Sequence, residues 1–165
     1  MKIYLFRHAQ KAMDFTGDPD LTPEGHAQAS KLLDRVIKKE LTAPTEIWAS
    51  PKKRTLSTLR PLAQHFSLEL KHQDGLLEQQ SDETLSQFRA RIQRLLDATT
   101  ASSSSEKVIF LCSHYDWVIE AMAIIPCDQD LTESEFSNWT PCQYVAFEVA
   151  ADGLFKFLEL KRIQI

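Results

Sequence analysis

The sequence is short of the residues that announce many functional classes. It has only four glycines in 165 residues, and none stands in a G-x-G-x-x-G or G-x-x-x-x-G-K-[ST] arrangement, so a nucleotide-cradling loop is not expected. H-E-x-x-H and closely spaced His/Cys sets are missing, as is the G-x-S-x-G elbow of esterases. The three cysteines, Cys112, Cys127 and Cys142, include no close pair, which argues against a disulfide framework or a C-x-x-C centre and for a reducing, cytoplasmic setting. Cys112 also fails as a thiol nucleophile, because a Cys-x5-Arg loop needs arginine where Val118 stands. No apolar run approaches a membrane span, and the N-terminal one, interrupted by Arg7, is too short for a signal-peptide core. Lys and Arg number 19 against 23 Asp and Glu, a formal charge of −4. Neither nucleic acid nor an anionic membrane is therefore an expected partner, and any anion site has to be a local basic cluster.

With 43% hydrophobic and 25% charged residues, the composition is that of an ordinary globular protein, and the length suits one domain spanning residues 1–165. Ile3 to Phe6 and Val108 to Cys112 are continuous apolar runs, the pattern of strands covered on both faces, with Glu46 to Ala49 a shorter example. Thr22 and Pro23 open a helix whose buried stripe is Leu32, Leu33, Val36 and Ile37. Ser50 before Pro51 is a second N-cap candidate, for a helix expected to kink or break near Pro61. A third helix carries Leu85, Phe88, Ile92, Leu95 and Leu96 at helical spacing, and "TTASSSSEK" reads as a flexible polar connection after it. A short strand near Leu68 to Lys71, a helix from Tyr115 ending near Pro126, and two final strands joined by "AADG" complete the order. The expectation is an α/β three-layer sandwich: a mainly parallel central sheet with an antiparallel C-terminal hairpin.

In open α/β sheets ligands sit beyond the carboxyl ends of the strands. The first strand runs directly into Arg7-His8, the second into "SPKKR" with Arg54, and "VIFLC" into Ser113-His114. Singly, such an arginine is usually a surface ion pair and such a histidine a hydrogen-bonded structural residue. Repeated at three strand ends of an acidic chain, they make a functional cluster the better account. Two guanidinium forks suit an anion with several oxygens, phosphate before carboxylate. Backbone N–H groups at the helix start after Ser50 would add to it if they face the same cleft.

"FRHA", "DLTPEGHAQA", "ASPKKRTLST" and "LCSHYDWVIEA" together resemble, in order and approximate spacing, the histidine phosphatase superfamily with its phosphoglycerate mutase-like fold. The resemblance covers about the first three quarters of the chain. It implies a metal-independent phosphatase that needs no cofactor, with His8 as the nucleophile forming a phosphohistidine. Arg7, Arg54 and His114 would hold the phosphoryl oxygens, and inorganic phosphate would be the product. It points to Glu78, in "GLLEQQ", as the acid that protonates the leaving group, a solvated loop glutamate being the alternative; Asp14, Asp18 and Asp20 are weaker candidates. Glu83 and Arg91 match a helix-opening glutamate and a later arginine whose expected role is an ion pair.

Three departures are visible: Ala9 stands where glycine is usual, Ser57-Thr58 where Gln-Thr is usual, and Ser113 where glycine often precedes the second histidine. Ala9 and the short chain are similar to the SixA-like branch, whereas "SHYDWVIEA" and Glu78 look more like the sugar- and cofactor-phosphate phosphatases. The substrate is accordingly a phosphorylated small molecule or a phosphoprotein. The rival activities are a SixA-like phosphohistidine phosphoprotein phosphatase and a non-catalytic phosphate-binding module. Mutase activity is disfavoured by length, and the short segment from Gln73 to Glu83 suggests an open pocket.

Overall fold

Successive residues of a strand face opposite ways, so a run that is apolar throughout must be covered twice. That is the situation of β1 (Lys2–Arg7). Ile3 and Leu5 pack into one core with Phe88, Ile92 and Trp117, while Tyr4 and Phe6 pack into the other with Leu32, Leu59 and Leu62. The computed structural model describes residues 1–101 and 104–165. The remaining elements are α1 (Pro23–Ile37), β2 (Glu46–Ala49), α2 (Lys53–Phe66), β3 (Leu70–His72), α3 (Leu85–Thr100), β4 (Val108–Ser113), α4 (Tyr115–Ile124), β5 (Gln143–Val149) and β6 (Phe155–Arg162), with 3-10 turns at Asp74–Leu76 and Ser134–Phe136. They form one six-stranded sheet in the order β3-β2-β4-β1-β5-β6. The first four of these are mutually parallel, β5 runs antiparallel to β1, and β6 antiparallel to β5. Helices α1 and α2 cover one face and α3 and α4 the other, giving the three layers expected, with Trp117 and Trp139 buried. No helix of the described residues is long and apolar enough to cross a membrane.

Several local expectations are corrected. Thr22 does cap α1, its hydroxyl accepting from the Gly25 N–H at 3.0 Å. Ser50 does not cap α2: the helix starts three residues later, behind Lys52, and has no side-chain cap from that residue. The Ser50 hydroxyl is engaged elsewhere, 2.8 Å from Thr55 Oγ1 and 2.8 Å from His114 Nε2. The helix also runs unbroken past Pro61 to Phe66. Proline removes one backbone bond, but Leu59, Leu62 and Ala63 are buried on either side of it and hold the helix against the sheet. Ile37 and Leu85, at the last position of α1 and the first of α3, are exposed rather than part of the buried stripes. The connection expected at "TTASSSSEK" is helical through Thr100, and its residues 102 and 103 lie outside those described.

Candidate active site

The strand order places β4 between β2 and β1, so the three basic strand ends are neighbours. The register lines Arg7 up with Ser113, and the ladder continues one step further, His8 N–H donating to the Ser113 carbonyl at 3.0 Å. His8, Arg54 and His114 are only 5%, 7% and 4% exposed, and the two imidazole rings meet edge to face with centroids 5.5 Å apart. Arg54, on the first turn of α2, donates from Nη2 to His114 Nδ1 at 3.2 Å and to Glu78 Oε1 at 3.2 Å. Arg7 is half-buried; its Nη1 donates to the Trp139 carbonyl at 2.5 Å, and its guanidinium lies over the Tyr115 ring. The Nε groups of both arginines are buried without a hydrogen-bond partner.

These contacts fix both histidine tautomers. His8 Nδ1 is 2.7 Å from the Ala9 carbonyl oxygen, which can only accept, so Nδ1 carries the hydrogen and Nε2 keeps its lone pair. A guanidinium can only donate, so His114 Nδ1 is the acceptor and its hydrogen sits on Nε2, 2.8 Å from Ser50 Oγ and 3.0 Å from Glu78 Oε2. Burial, followed by the neighbouring His114, Arg54 and Arg7, pushes the His8 imidazole down to about 3, so at neutral pH it is an uncharged base. His114 is lowered too, by burial first, with Glu78 opposing.

Glu78 joins this cluster through a loop held on several sides. Ser113 Oγ donates to the Leu76 carbonyl at 2.6 Å, Trp117 Nε1 to the Gly75 carbonyl at 2.7 Å, and Asp116 accepts the Gln79 N–H at 2.8 Å. Arg91, on α3, donates from Nη1 to the Leu77 carbonyl at 2.9 Å and from Nη2 to the Glu78 carbonyl at 3.1 Å, and is itself gripped by both carboxylate oxygens of Glu83. The Glu83–Arg91 ion pair is therefore present as expected, and it also clasps the loop that carries Glu78. Burial of the Glu78 carboxyl opposes ionisation, but His114 and Arg54 outweigh it and hold the group far below the usual carboxylate range. That is the reverse of the raised value a resting general acid would show.

Of the weaker acid candidates, Asp18 reaches the cluster, with Oδ1 3.8 Å from Arg54 Nη1. It also accepts the Lys53 N–H at 3.1 Å, so it occupies an amide at the start of α2. Asp14 instead accepts from Thr16, and Asp20 from the Leu21 N–H. Cys112 is fully buried and its thiol is raised well above its ordinary value by burial, consistent with a core residue. Ser50 and Asp116 join the site with no sequence signal that marks them for it: Ser50 stands in the "SPKKR" stretch, where the local pattern predicts a helix cap instead. Among the described residues, no group of three or more His, Cys, Asp or Glu side chains is arranged to hold a metal ion.

The depressed His8 has a consequence for stability. Between about 6.5 and about 3 the unfolded chain binds a proton at this ring that the folded protein does not. Stability therefore rises with pH across that window and falls on acidification, by about 1.4 kcal/mol per pH unit for one such group. Glu78, also depressed when folded, adds a loss of the same sign below 4.5. Urea denaturation between pH 7 and 4 should show this decline, and His8→Asn should flatten it; a variant as acid-sensitive as wild type would contradict the assignment.

A mainly parallel sheet whose interior strands β1, β2 and β4 bring arginine and histidine together at their carboxyl ends, beside a loop glutamate, has the architecture of phosphoglycerate mutase-like folds. Residues 3–82 match the sequence profile of the histidine phosphatase superfamily (branch 1), a segment that includes Arg7, His8, Arg54 and Glu78. Over this segment the chain is similar to the histidine phosphatase superfamily, and the fold agrees with that likeness. Among solved structures, a phosphoserine phosphatase from Entamoeba histolytica, crystallised with phosphoserine, superposes with a TM-score of 0.73 at 17% identity, covering 99% of this chain and 98% of that one. The protein histidine phosphatase SixA, complexed with tungstate, gives 0.70 at 18% identity, covering 98% and 97%. A mycobacterial glucosyl-3-phosphoglycerate phosphatase gives 0.72 at 15% identity, covering 98% and 97%. At these identities the likeness is one of fold. No curated protein matches the sequence.

Proposed function

We propose that this chain is a metal-independent phosphatase that hydrolyses phosphomonoesters through a phosphohistidine on His8. The observation that carries the reading is the state of His8: buried, uncharged, its Nδ1–H tied to a backbone carbonyl and its Nε2 lone pair kept beside Arg54 and His114. A phosphoryl group held by Arg7, Arg54 and His114 presents phosphorus to Nε2. The N–P bond forms as the P–O bond to the substrate breaks, and the departing alkoxide receives a proton through Glu78, whose carboxylate, ionised at rest, takes that proton up from solvent once the bound phosphate competes for Arg54 and His114. Water then attacks the phosphohistidine, the Glu78 carboxylate takes the proton of that water, and inorganic phosphate leaves with Nε2 restored. Phosphoryl transfer of this kind needs chiefly alignment and stabilisation of charge on the oxygens, which fixed cations supply. The three cysteines are free, and a reducing cytoplasm is the compartment we assign.

A second reading, a phosphoprotein as substrate, is favoured by one feature of the loop that follows His8. Met13 and Phe15, on the loop between His8 and Asp18, are almost entirely exposed at 94% and 108%. Two large exposed apolar side chains on a loop that leaves the cluster at His8 and returns to it at Asp18 are what a protein surface could cover. Rapid-quench experiments with a panel of phosphomonoesters and a phosphohistidine peptide test both readings. A phosphoprotein labile in acid and stable in base should accumulate; none at any time point, with turnover proceeding, would remove the covalent intermediate.

A further inference from the structure

The lone pair on His8 Nε2 depends on a backbone carbonyl, that of Ala9, being aimed at Nδ1. A carbonyl in a connecting loop does not hold such an aim unaided, because rotating its peptide plane costs little when nothing else binds it. The other end of that peptide plane is the N–H of Gln10, and it donates to Gln28 Oε1 at 2.9 Å. Gln28 lies on α1, is 8% exposed, and the N–H can only donate, so the side-chain oxygen is the acceptor.

The next peptide is gripped as well. The Thr22 N–H donates to the Gln10 carbonyl at 2.9 Å, and Thr22 Oγ1 donates to Gln10 Oε1 at 2.6 Å. Gly25 presses against the same carbonyl so closely that a Cβ there would overlap the oxygen. On the near side, Thr58 Oγ1 accepts the Ala9 N–H at 2.9 Å and donates to the Arg54 carbonyl at 2.7 Å. "LTPEGHAQ" thus supplies three residues, Thr22, Gly25 and Gln28, that all act on Gln10, two positions beyond His8.

We infer that Gln28 is a positioning residue for the nucleophile: by accepting the Gln10 N–H it fixes the Ala9–Gln10 peptide so that the Ala9 oxygen holds His8 in the Nδ1–H tautomer. Thr22 and Gly25 keep Gln10 in reach of that bond. This rests on the reading of His8 as the nucleophile, but the conformational claim stands on its own observables. Misaiming a reacting group by a fraction of its hydrogen-bond length is enough to slow a reaction by up to about 100-fold.

The test is long-range 1H–15N correlation of the histidine rings, with His8 assigned by comparison with His8→Asn, alongside steady-state kinetics. Wild type should show His8 as Nδ1–H; an Nε2–H ring there overturns the inference outright. Gln28→Met, similar in length but without the carbonyl acceptor, should give a mixture of the two tautomers and a kcat lower by roughly 10- to 100-fold, with KM little changed. Gln28→Glu retains an acceptor oxygen and should restore both readouts. Gly25→Ala disturbs the same segment from its other side and should shift the tautomer in the same direction. An unchanged His8 tautomer in Gln28→Met, or a Gln28→Glu no better than Gln28→Met, overturns the inference and leaves the nucleophile reading intact. Full turnover in His8→Ala would sink the nucleophile reading instead, without touching the tautomer result.

Discussion

His8→Ala is expected to lower turnover of phosphomonoesters by at least ~10³-fold while leaving the binding of inorganic phosphate nearly unchanged. The two effects separate because the groups proposed to hold phosphate are not held by the His8 side chain. Arg54 is fixed by His114 and Glu78, Arg7 by the Trp139 carbonyl, and His114 by Ser50 and Arg54. The strand-end backbone at position 8 also persists, since it is held by main-chain bonds to Ser113 and Cys142. What the substitution removes is the lone pair, and water attacking directly would lack both the alignment and the basicity of a fixed imidazole. Calorimetric titration with phosphate beside rate measurements on several phosphomonoesters checks both halves. Equal, measurable rates for variant and wild type would end the covalent mechanism on His8, and no turnover by either would make a phosphate-binding module the better description.

Glu78→Gln should slow hydrolysis of alkyl phosphates by about 10²- to 10⁴-fold and leave aryl phosphates and a phosphohistidine peptide far less affected. The reason is the leaving group: an alkoxide needs a proton as it departs, whereas a phenolate or an imidazole departs readily without one. The resting carboxylate is held ionised by His114 and Arg54, so on its own Glu78 has no proton to give. Bound phosphate changes that balance. It competes for the same two partners and places negative charge beside the carboxylate, and one such charge at about 5 Å costs about 3 kcal/mol at an effective dielectric near 20. Substrate binding therefore raises the affinity of Glu78 for a proton at the step that uses one. A uniform loss across all leaving groups would instead assign Glu78 to holding Arg54 and His114 in place, and no loss on any would exclude it from the reaction.

Much of the site was visible in the primary structure because its chemistry lies at places the pattern marks. Ile3 to Phe6 and Val108 to Cys112 are read as buried strands from their neighbours alone, and Arg7-His8 and Ser113-His114 follow them without a gap. The N-cap at Thr22 is equally local, a hydroxyl reaching an N–H three residues away. Ser50 shows where such reading ends. Its hydroxyl had a plausible local use as a cap, and the use it has in the fold, at His114, lies 64 positions along the chain. Pro61 is a similar case, in which burial of Leu59, Leu62 and Ala63 outweighs a locally unfavourable residue. The Glu83–Arg91 pair is implied by the family resemblance, but the grip of Arg91 on the carbonyls of Leu77 and Glu78 requires the loop to fold back on α3.

The sequence by itself determined the strands, most of the helices, and which cationic and imidazole side chains stand at strand ends, because those depend on residues two to four positions apart. Only the tertiary structure decided the order β2-β4-β1 that makes those ends adjacent, the tautomers of His8 and His114, and the ionised resting state of Glu78. The physical reason is that hydrogen-bond direction and the electrostatic field at a titrating atom are set by what surrounds it in space. For His8 those surroundings are Arg54 and His114, 46 and 106 residues away along the chain, brought beside it by the packing of the sheet.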